Sequence, residues 1–187
     1  ACGHGFVAVT TSKNLLRVFS GTGLQLSVTL LKGPLMCLVG GGSYLAVMYY
    51  CGAQVDRHQS LMMRAEVLDV TPAGARLATT ADMLLKTRER MSWATVTENG
   101  MLCVSEKNGT LYGLMASMGG QWVPLLDTKP LVRTEHHLLW PVAVKDNKLC
   151  FVMLNGETRP GVHPKPVVTA RPFRLPTIDA HPKGSPE

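Results

Sequence analysis

The stretch SWATVTENGMLCVSEKNGTLYGLM, residues 92–115, contains three short apolar segments separated by two tight turns. The first turn holds Glu-Asn-Gly at 98–100, and the second holds Lys-Asn-Gly at 107–109. Asn and Gly tolerate the positive φ angles that tight hairpin connections require, and Val, Thr and Tyr favour strands. The stretch therefore predicts two consecutive antiparallel β-hairpins.

The same pattern extends in both directions along the chain. The further segments that we predict as strands are FVAVT (6–10), LLRVF (15–19), LQLSVTL (24–30), LMCLV (35–39), YLAVMYY (44–50), SLMMRAEVLDV (60–70), RLATT (76–80), QWVPLL (121–126), LLWPVAV (138–144) and KLCFVML (148–154). FVAVT and LMCLV are apolar on both faces, which predicts burial on both sides, whereas LQLSVTL alternates and predicts a half-exposed strand. The fold class is therefore predicted to be all-β.

A weak internal repeat groups these strands. Three stretches align on their first strands: GFVAVTTSKNLLRVFS, residues 92–115 and LLWPVAVKDNKLCFVMLN. A fourth copy is LMCLVGGGSYLAVMYY. Four-stranded sheets of about 40–45 residues, repeated around a channel, are typical of a WD-type β-propeller. We predict such a propeller with about four blades and an incomplete ring. Pro141 favours this fold, because proline is tolerated on the strand that borders the channel.

Two segments depart from the strand pattern. The stretch from Thr80 to Ser92 breaks the alternation and predicts one or two helical turns with Asp82 as N-cap. The sequence from 159 onward is rich in proline, so we assign 1–170 to the blades and 171–187 to an extended exit linker. At this junction PVVTA (166–170) predicts one added edge strand, anchored by Phe173.

Composition narrows the functional classes. The five cysteines form no CxxC pair, and three of them lie inside apolar runs, which favours reduced core thiols over a disulfide framework or a zinc site. The sequence shows no apolar stretch long enough to cross a bilayer, so we expect no membrane contact. The formal net charge is +6, and Asp and Glu are absent before Asp56 while Lys13, Arg17 and Lys32 are present. These three residues are candidate nucleic-acid contacts.

With these segments in hand, the chain resembles the second, SepB-type propeller of a replisome scaffold family. That family is known as the acidic nucleoplasmic DNA-binding protein, the chromosome transmission fidelity factor, or the WD-repeat and HMG-box DNA-binding protein. The resemblance rests on LLRVFSGTGLQ (15–25), the paired KGP and LAVMYY segments, GGQWVPLLDT (119–128) and RPFRLP (171–176). Their order covers most of residues 1–176 and matches the later blades. The chain departs from the family at Tyr50-Cys51 and at 57–59, so no contacts are implied there.

The resemblance implies a non-enzymatic role in the nucleus. It implies a homotrimeric platform that links the replicative helicase to the primer-making polymerase and supports sister-chromatid cohesion. The basic residues named above add DNA as a candidate partner. It implies no cofactor and no small-molecule substrate. In the family the groove for partner peptides belongs to a helical region, so the resemblance assigns no partner-binding residue to this segment.

Three tryptophans recur near predicted strands. Trp93 and Trp140 occupy similar places in the repeat, which favours packing between blades over ligand stacking, and we assign Trp122 and Phe173 to the same role. The Gly-rich segments at 21–23 and 40–43 are expected to be turns, because neither precedes a helix that would cradle a phosphate.

Catalytic and metal-binding patterns are weak. His136 and His137 are adjacent, so on a strand their imidazoles point to opposite faces, which favours solvated histidines. Two alternatives remain open beside the scaffold: a propeller enzyme such as a glycosidase or lactonase, and a nucleic-acid-binding or generic protein-interaction propeller. An enzyme would need carboxylates or histidines that converge at the channel mouth, whereas the acidic residues here lie mostly in turns.

Overall fold

The computed structural model describes residues 1–53, 61–85, 91–107, 109–132, 134 and 136–174 of the chain. Within these residues, strands form four antiparallel sheets, and the helical segments are two short 3-10 turns, Ala116–Met118 and Lys129–Leu131. In each sheet the strands are hydrogen-bonded in chain order, so each sheet is a meander.

The strand bounds of the four sheets are as follows. Sheet 1 contains β1 (Cys2–Gly3), β2 (Phe6–Thr10), β3 (Leu15–Ser20) and β4 (Gln25–Leu30). Sheet 2 contains β5 (Leu35–Gly41), β6 (Tyr44–Ala53), β7 (Leu61–Thr71) and β8 (Gly74–Leu85). Sheet 3 contains β9 (Met91–Val96), β10 (Leu102–Glu106), β11 (Thr110–Met115) and β12 (Gln121–Asp127). Sheet 4 contains β13 (His137–Lys145), β14 (Lys148–Asn155) and β15 (Val168–Pro172).

The first strands of successive sheets lie side by side. β1 contacts β5, β5 contacts β9, and β9 contacts β13, while the last strands follow one another from β4 to β8 to β12. A hydrogen bond of 2.6 Å from His4 N to Gly42 O joins the first two sheets near their inner strands. Sheets that share inner and outer edges in this way are the blades of a β-propeller. The predicted all-β propeller with about four blades is therefore confirmed.

Each pair of neighbouring sheets encloses one hydrophobic core. The core between sheets 1 and 2 is built from Phe6, Ala8, Leu16, Val18, Leu31, Leu45, Val47, Tyr49 and Val70. The core between sheets 2 and 3 is built from Ala46, Met48, Met63, Ala65, Val67, Val96, Leu102, Val104 and Leu114. The core between sheets 3 and 4 is built from Cys103, Leu111, Leu125, Val144, Leu149, Phe151 and Phe173.

β6 shows why some strands are apolar on both faces. Leu45, Val47 and Tyr49 pack toward sheet 1, while the intervening Ala46 and Met48 pack toward sheet 3. All five side chains are at most 1% exposed, because successive side chains of a strand point to opposite faces. The continuous apolar run of β6 thus belongs to a strand with a sheet on each side.

Two glycines at the end of β5 allow the inner strands to approach closely. A Cβ atom at Gly40 would overlap the carbonyl oxygen of Cys2 in sheet 1, and one at Gly41 would overlap the carbonyl oxygen of Val96 in sheet 3. The stretch 40–43, which we expected to be a turn throughout, therefore supplies two strand residues before the turn at 42–43.

The helix that we predicted between Thr80 and Ser92 is wrong where the structure describes it. β8 runs from Gly74 to Leu85, so Asp82 is a strand residue and not an N-cap. Strand pairing prevails because Arg64 lies directly opposite Asp82 on β7 and binds its carboxylate. Residues 86–90 lie outside the described part of the chain.

The first copy of the predicted repeat is also corrected. FVAVT is β2, the second strand of its sheet, because the two-residue β1 pairs before it and is too short to leave a sequence pattern. β2 is not buried on both faces: Phe6 and Ala8 are buried, whereas Val7 and Val9 are exposed.

The junction at the C-terminal side matches the predicted edge strand. β15 pairs with β14 from Val168 to Pro172, so the domain boundary that we place at 170 falls inside this strand. Pro141 lies on β13, which pairs with β14 alone and has a bulge next to the proline, as expected for a strand that borders the channel.

Candidate functional site

Sheet 1 turns one face away from the cores. Val7, Val9 and Val28 lie on this face, and their exposures are 43%, 42% and 45%. Val7 pairs across the strands with Phe19, and Val9 pairs with Arg17, so these side chains form one surface. We call it the outer face of sheet 1.

Sheet 4 has a corresponding outer face at the other end of the blade series. Leu138, Trp140 and Val142 alternate along β13 with exposures of 45%, 37% and 47%, and Val168 of β15 is 55% exposed. Extended apolar patches on a protein surface mark interaction sites more often than single exposed apolar residues do. The two outer faces are therefore candidate packing surfaces for further protein layers.

The three predicted nucleic-acid contacts all belong to the region of sheet 1. Lys13 in the β2–β3 turn and Lys32 after β4 are exposed at the same end of the sheet, because Leu31 N donates to Asn14 O at 2.8 Å. Arg17 lies on the outer face of sheet 1 and donates to the Gln25 side chain at 3.1 Å. Since the sequence has no Asp or Glu before residue 56, this sheet carries positive charge without a carboxylate of its own.

A cavity of about 680 Å³ lies between sheets 3 and 4, at the end where β9 and β13 begin. The residues that line it are Ser92, Trp93, Ser105, Glu106, Lys107, Gly109, Thr128, Lys129, Val132, Thr134, His137, Leu138, Leu139, Trp140 and Pro141. We call it the inter-blade cavity. A second cavity of about 880 Å³ lies at the opposite end of the same two sheets, next to the turns at 97–101 and 145–147.

The predicted packing residues occupy different environments. Trp93 packs against the core between sheets 3 and 4, and Trp122 packs against the core between sheets 2 and 3. The indole Nε1 of Trp122 is buried and has no hydrogen-bond partner in the described part of the chain. Trp140 lies on the outer face of sheet 4, and Phe173 is 7% exposed in the core, where its N–H donates to Asn147 O at 2.9 Å.

The histidine pair does not form a metal site with its described neighbours. His136 is exposed in a turn, and His137 begins β13 at the wall of the inter-blade cavity. Across the described ranges, no group of three or more His, Cys, Asp or Glu side chains is close enough to hold a metal ion. Those ranges also hold no helix of sufficient length and apolarity to span a membrane.

A polar network on sheet 2 was missed from the sequence. Arg64 donates from Nε and Nη2 to the two carboxylate oxygens of Asp82, at 2.6 and 2.7 Å, and Tyr49 donates to Glu66 at 2.6 Å. The hydrogen bonds from Arg64 lower the pKa of Asp82, while burial and the bond to Glu66 raise the pKa of Tyr49. Only the register of β6, β7 and β8 brings these residues together, so no local sequence signal marks them.

The cysteines differ in accessibility. Cys103 is fully buried, and burial raises the pKa of its thiol to about 12, whereas Cys2 and Cys51 are exposed. Cys37 and Cys150, which we also expected in the core, are half-buried.

The comparison with known families matches residues 1–177 to the family described as minichromosome loss protein, Mcl1, middle region. The chain belongs to this family. The Mcl1 middle-region match covers all four sheets and both outer faces. It also includes the segments on which the resemblance to a replisome scaffold was based.

Relatives in three kingdoms share this region. The chain is 29% identical over 176 residues to WD repeat and HMG-box DNA-binding protein 1 of Xenopus laevis, covering 93% of the chain and 15% of that protein. It is 31% identical over 177 residues to Protein ENHANCER OF LHP1 1 of Arabidopsis thaliana, covering 94% of the chain and 18% of that protein. It is 28% identical over 185 residues to Minichromosome loss protein 1 of Schizosaccharomyces pombe, covering 96% of the chain and 22% of that protein. The chain therefore spans less than a quarter of the length of these relatives.

Among solved structures, a fragment of HIRA comprising residues 644–1017 aligns with 67% of this chain and 38% of that one. The sequence identity is 22% and the TM-score is 0.48.

Proposed function

We propose that this chain is a non-enzymatic scaffold segment that acts in DNA replication in the nucleus. The observation that carries the proposal is the family match across residues 1–177, together with relatives named for minichromosome loss and for WD-repeat and HMG-box DNA binding. Packing surfaces at both ends of the blade series agree with a role in assembly.

The four blades form the later part of a larger propeller. Because β15 extends to Pro172 and Phe173 packs in the core, the blades run to 173, and the predicted exit linker lies mostly outside the described residues. Two features support this arrangement. Each outer face presents exposed apolar side chains, and within the described residues sheet 4 has three strands where the other sheets have four. An additional blade against each outer face would cover both surfaces in the way that sheets 2 and 3 cover each other.

The assembled protein is a homotrimer that links the replicative helicase to the primer-making polymerase and supports sister-chromatid cohesion. A decisive test is the mass of the full-length polypeptide, measured by multi-angle light scattering at several concentrations. A trimer supports the hub function. A strict monomer at the highest concentration would remove the trimeric hub while leaving the blade assignment intact.

A second function, binding of nucleic acid, is favoured by the carboxylate-free sheet 1. Lys13, Arg17 and Lys32 would attract phosphates, and such binding weakens steeply as salt rises because condensed counterions are released. Exchange of all three residues for Gln should abolish an oligonucleotide complex that persists at physiological salt. Unchanged affinity would exclude these residues as the DNA contacts.

A further inference from the structure

The inter-blade cavity lies between two described sheets, and it also borders Leu138 and Trp140 of the outer face of sheet 4. Its volume of about 680 Å³ is within the range of sites that hold small ligands or peptide side chains. Trp93 and Leu139 contribute apolar walls that also pack on the core between sheets 3 and 4. The interior therefore favours a bulky apolar group.

The wall segments of the inter-blade cavity are fixed by hydrogen bonds. Ser92 Oγ donates to Ser105 O at 3.0 Å, which ties the start of β9 to the end of β10. Also at this end of sheet 3, Thr128 donates to Gly109 O from both Oγ1, at 2.7 Å, and N, at 2.8 Å. A pocket that is already ordered loses less conformational entropy when it binds a ligand.

At the inter-blade cavity the acidic side chains have partners within the chain, whereas the described part of the chain shows no ion pair for the lysines. Glu106 is 5% exposed and already engaged within the chain, and Asp127 accepts the backbone N–H of Lys129 at 2.9 Å. Lys107 and Lys129 are exposed, and in the described part of the chain neither ammonium group takes part in an ion pair. Within the described residues, two cations without an ion pair thus lie beside the apolar walls of the cavity.

We propose that the inter-blade cavity binds a short acidic peptide segment of a partner protein, with one bulky apolar side chain inserted between sheets 3 and 4. The inserted side chain contacts Trp93 and Leu139, and carboxylates that flank it pair with Lys107 and Lys129. Apolar anchors inside a polar or charged rim are the usual organisation of such sites. The site lies on the propeller itself and is independent of the hub function proposed above.

The binding experiment uses the full-length protein and three fluorescein-labelled peptides. The first is a hexapeptide of Asp and Glu with one central Phe, the second replaces the Phe with Gly, and the third replaces the acidic residues with Lys. Fluorescence anisotropy should show the first peptide binding at least about tenfold more tightly than the other two, because both the anchor and the charges are required. The affinity of the first peptide should fall as salt is raised.

Protein variants then locate the site. Exchange of both rim lysines, Lys107→Glu with Lys129→Glu, should weaken the acidic peptide by about tenfold and strengthen the lysine peptide. The matched control, Lys145→Glu with Lys148→Glu, changes the same total charge at the opposite end of sheet 4 and should leave both affinities unchanged. A change that depends on peptide charge in this way does not arise from a loss of folding.

A photocrosslinking measurement provides a second, independent result. A peptide with benzoylphenylalanine at the anchor position should crosslink to residues 92–93 or 137–141, as read by mass spectrometry. Crosslinks elsewhere, equal binding of the Phe and Gly peptides, or rim variants that behave like the control would each overturn the proposal. Binding of an oligo(dT) strand that is lost in the rim variants, without binding of the acidic peptide, would replace the peptide with nucleic acid as the occupant.

Discussion

A methyl group added at Gly41 tests the close approach of the inner strands. The Cβ of Gly41→Ala would overlap the carbonyl oxygen of Val96 and lie 3.0 Å from its Cγ1, so β5 and β9 would have to separate. The obstacle is backbone, which cannot rotate away as a long side chain can. Overpacking of this kind costs about 1–3 kcal/mol, and in a domain of this size each kcal/mol lowers the melting temperature by about 2–4 °C. We therefore expect Gly41→Ala to lower the melting temperature by about 2–12 °C.

Gly21→Ala is the matched control for this prediction. Its Cβ would meet no atom closer than 3.6 Å, and the backbone angle there is open to any residue. This control should be neutral or slightly stabilising, because alanine reduces the freedom of the unfolded chain. Urea unfolding followed by circular dichroism gives both free energies of unfolding. Equal stability of the two variants would refute the contact between β5 and β9, and with it the radial arrangement of sheets 2 and 3.

Three further predictions concern single side chains. Phe173→Ala should lower the free energy of unfolding by about 3 kcal/mol, because it empties a buried site, and should speed hydrogen exchange in β15. Absence of exchange protection at the β15 amides in the unmodified protein would contradict the pairing of this strand with β14. Cys51 is exposed and should react with a thiol reagent in the native protein. Cys103 should react only after unfolding, since burial raises the pKa of its thiol to about 12. Mass spectrometry of the labelled peptides measures both reactions. Because Arg64 lowers the pKa of Asp82, this pair should add about 0.5 kcal/mol or less to the free energy of unfolding at neutral pH. The gain should vanish as the pH falls through the folded-state pKa of Asp82. Urea unfolding of Asp82→Asn and of the parent protein at several pH values measures it.

Strand positions were predictable because their sequence signals are local. The hairpin at 98–100 follows from Asn-Gly, where Gly100 has a φ of 79°, and the turn at Asp146 and Asn147 has φ angles of 50° and 55°. The predicted strands at 6–10 and 110–115 have those same bounds in the structure. Turn chemistry and apolar pattern depend on a few consecutive residues, so they can be read without a partner sheet.

Contacts between strands and between sheets were harder to predict from the sequence. The predicted helical turn with Asp82 as N-cap ignored Arg64, which is eighteen residues away in sequence but directly opposite on β7. β1 is two residues long and leaves no periodic pattern, so FVAVT was aligned as a first strand. The inter-blade cavity likewise depends on where the segment 128–132 lies after sheet 3, which composition alone does not show.

β2 is apolar in sequence but exposed on one face, and this difference bears on the proposed larger propeller. In β6 an apolar run with buried residues on both faces has a sheet on each side, and β10, which is apolar from Leu102 to Val104, is buried at every position. FVAVT has the same apolar character, yet Val7 and Val9 face outward with no sheet of this segment against them. A surface strand that needs only one buried face would alternate with polar residues. The residue choice in β2 is thus typical of a strand that is covered on both sides, which supports packing of a further blade against the outer face of sheet 1.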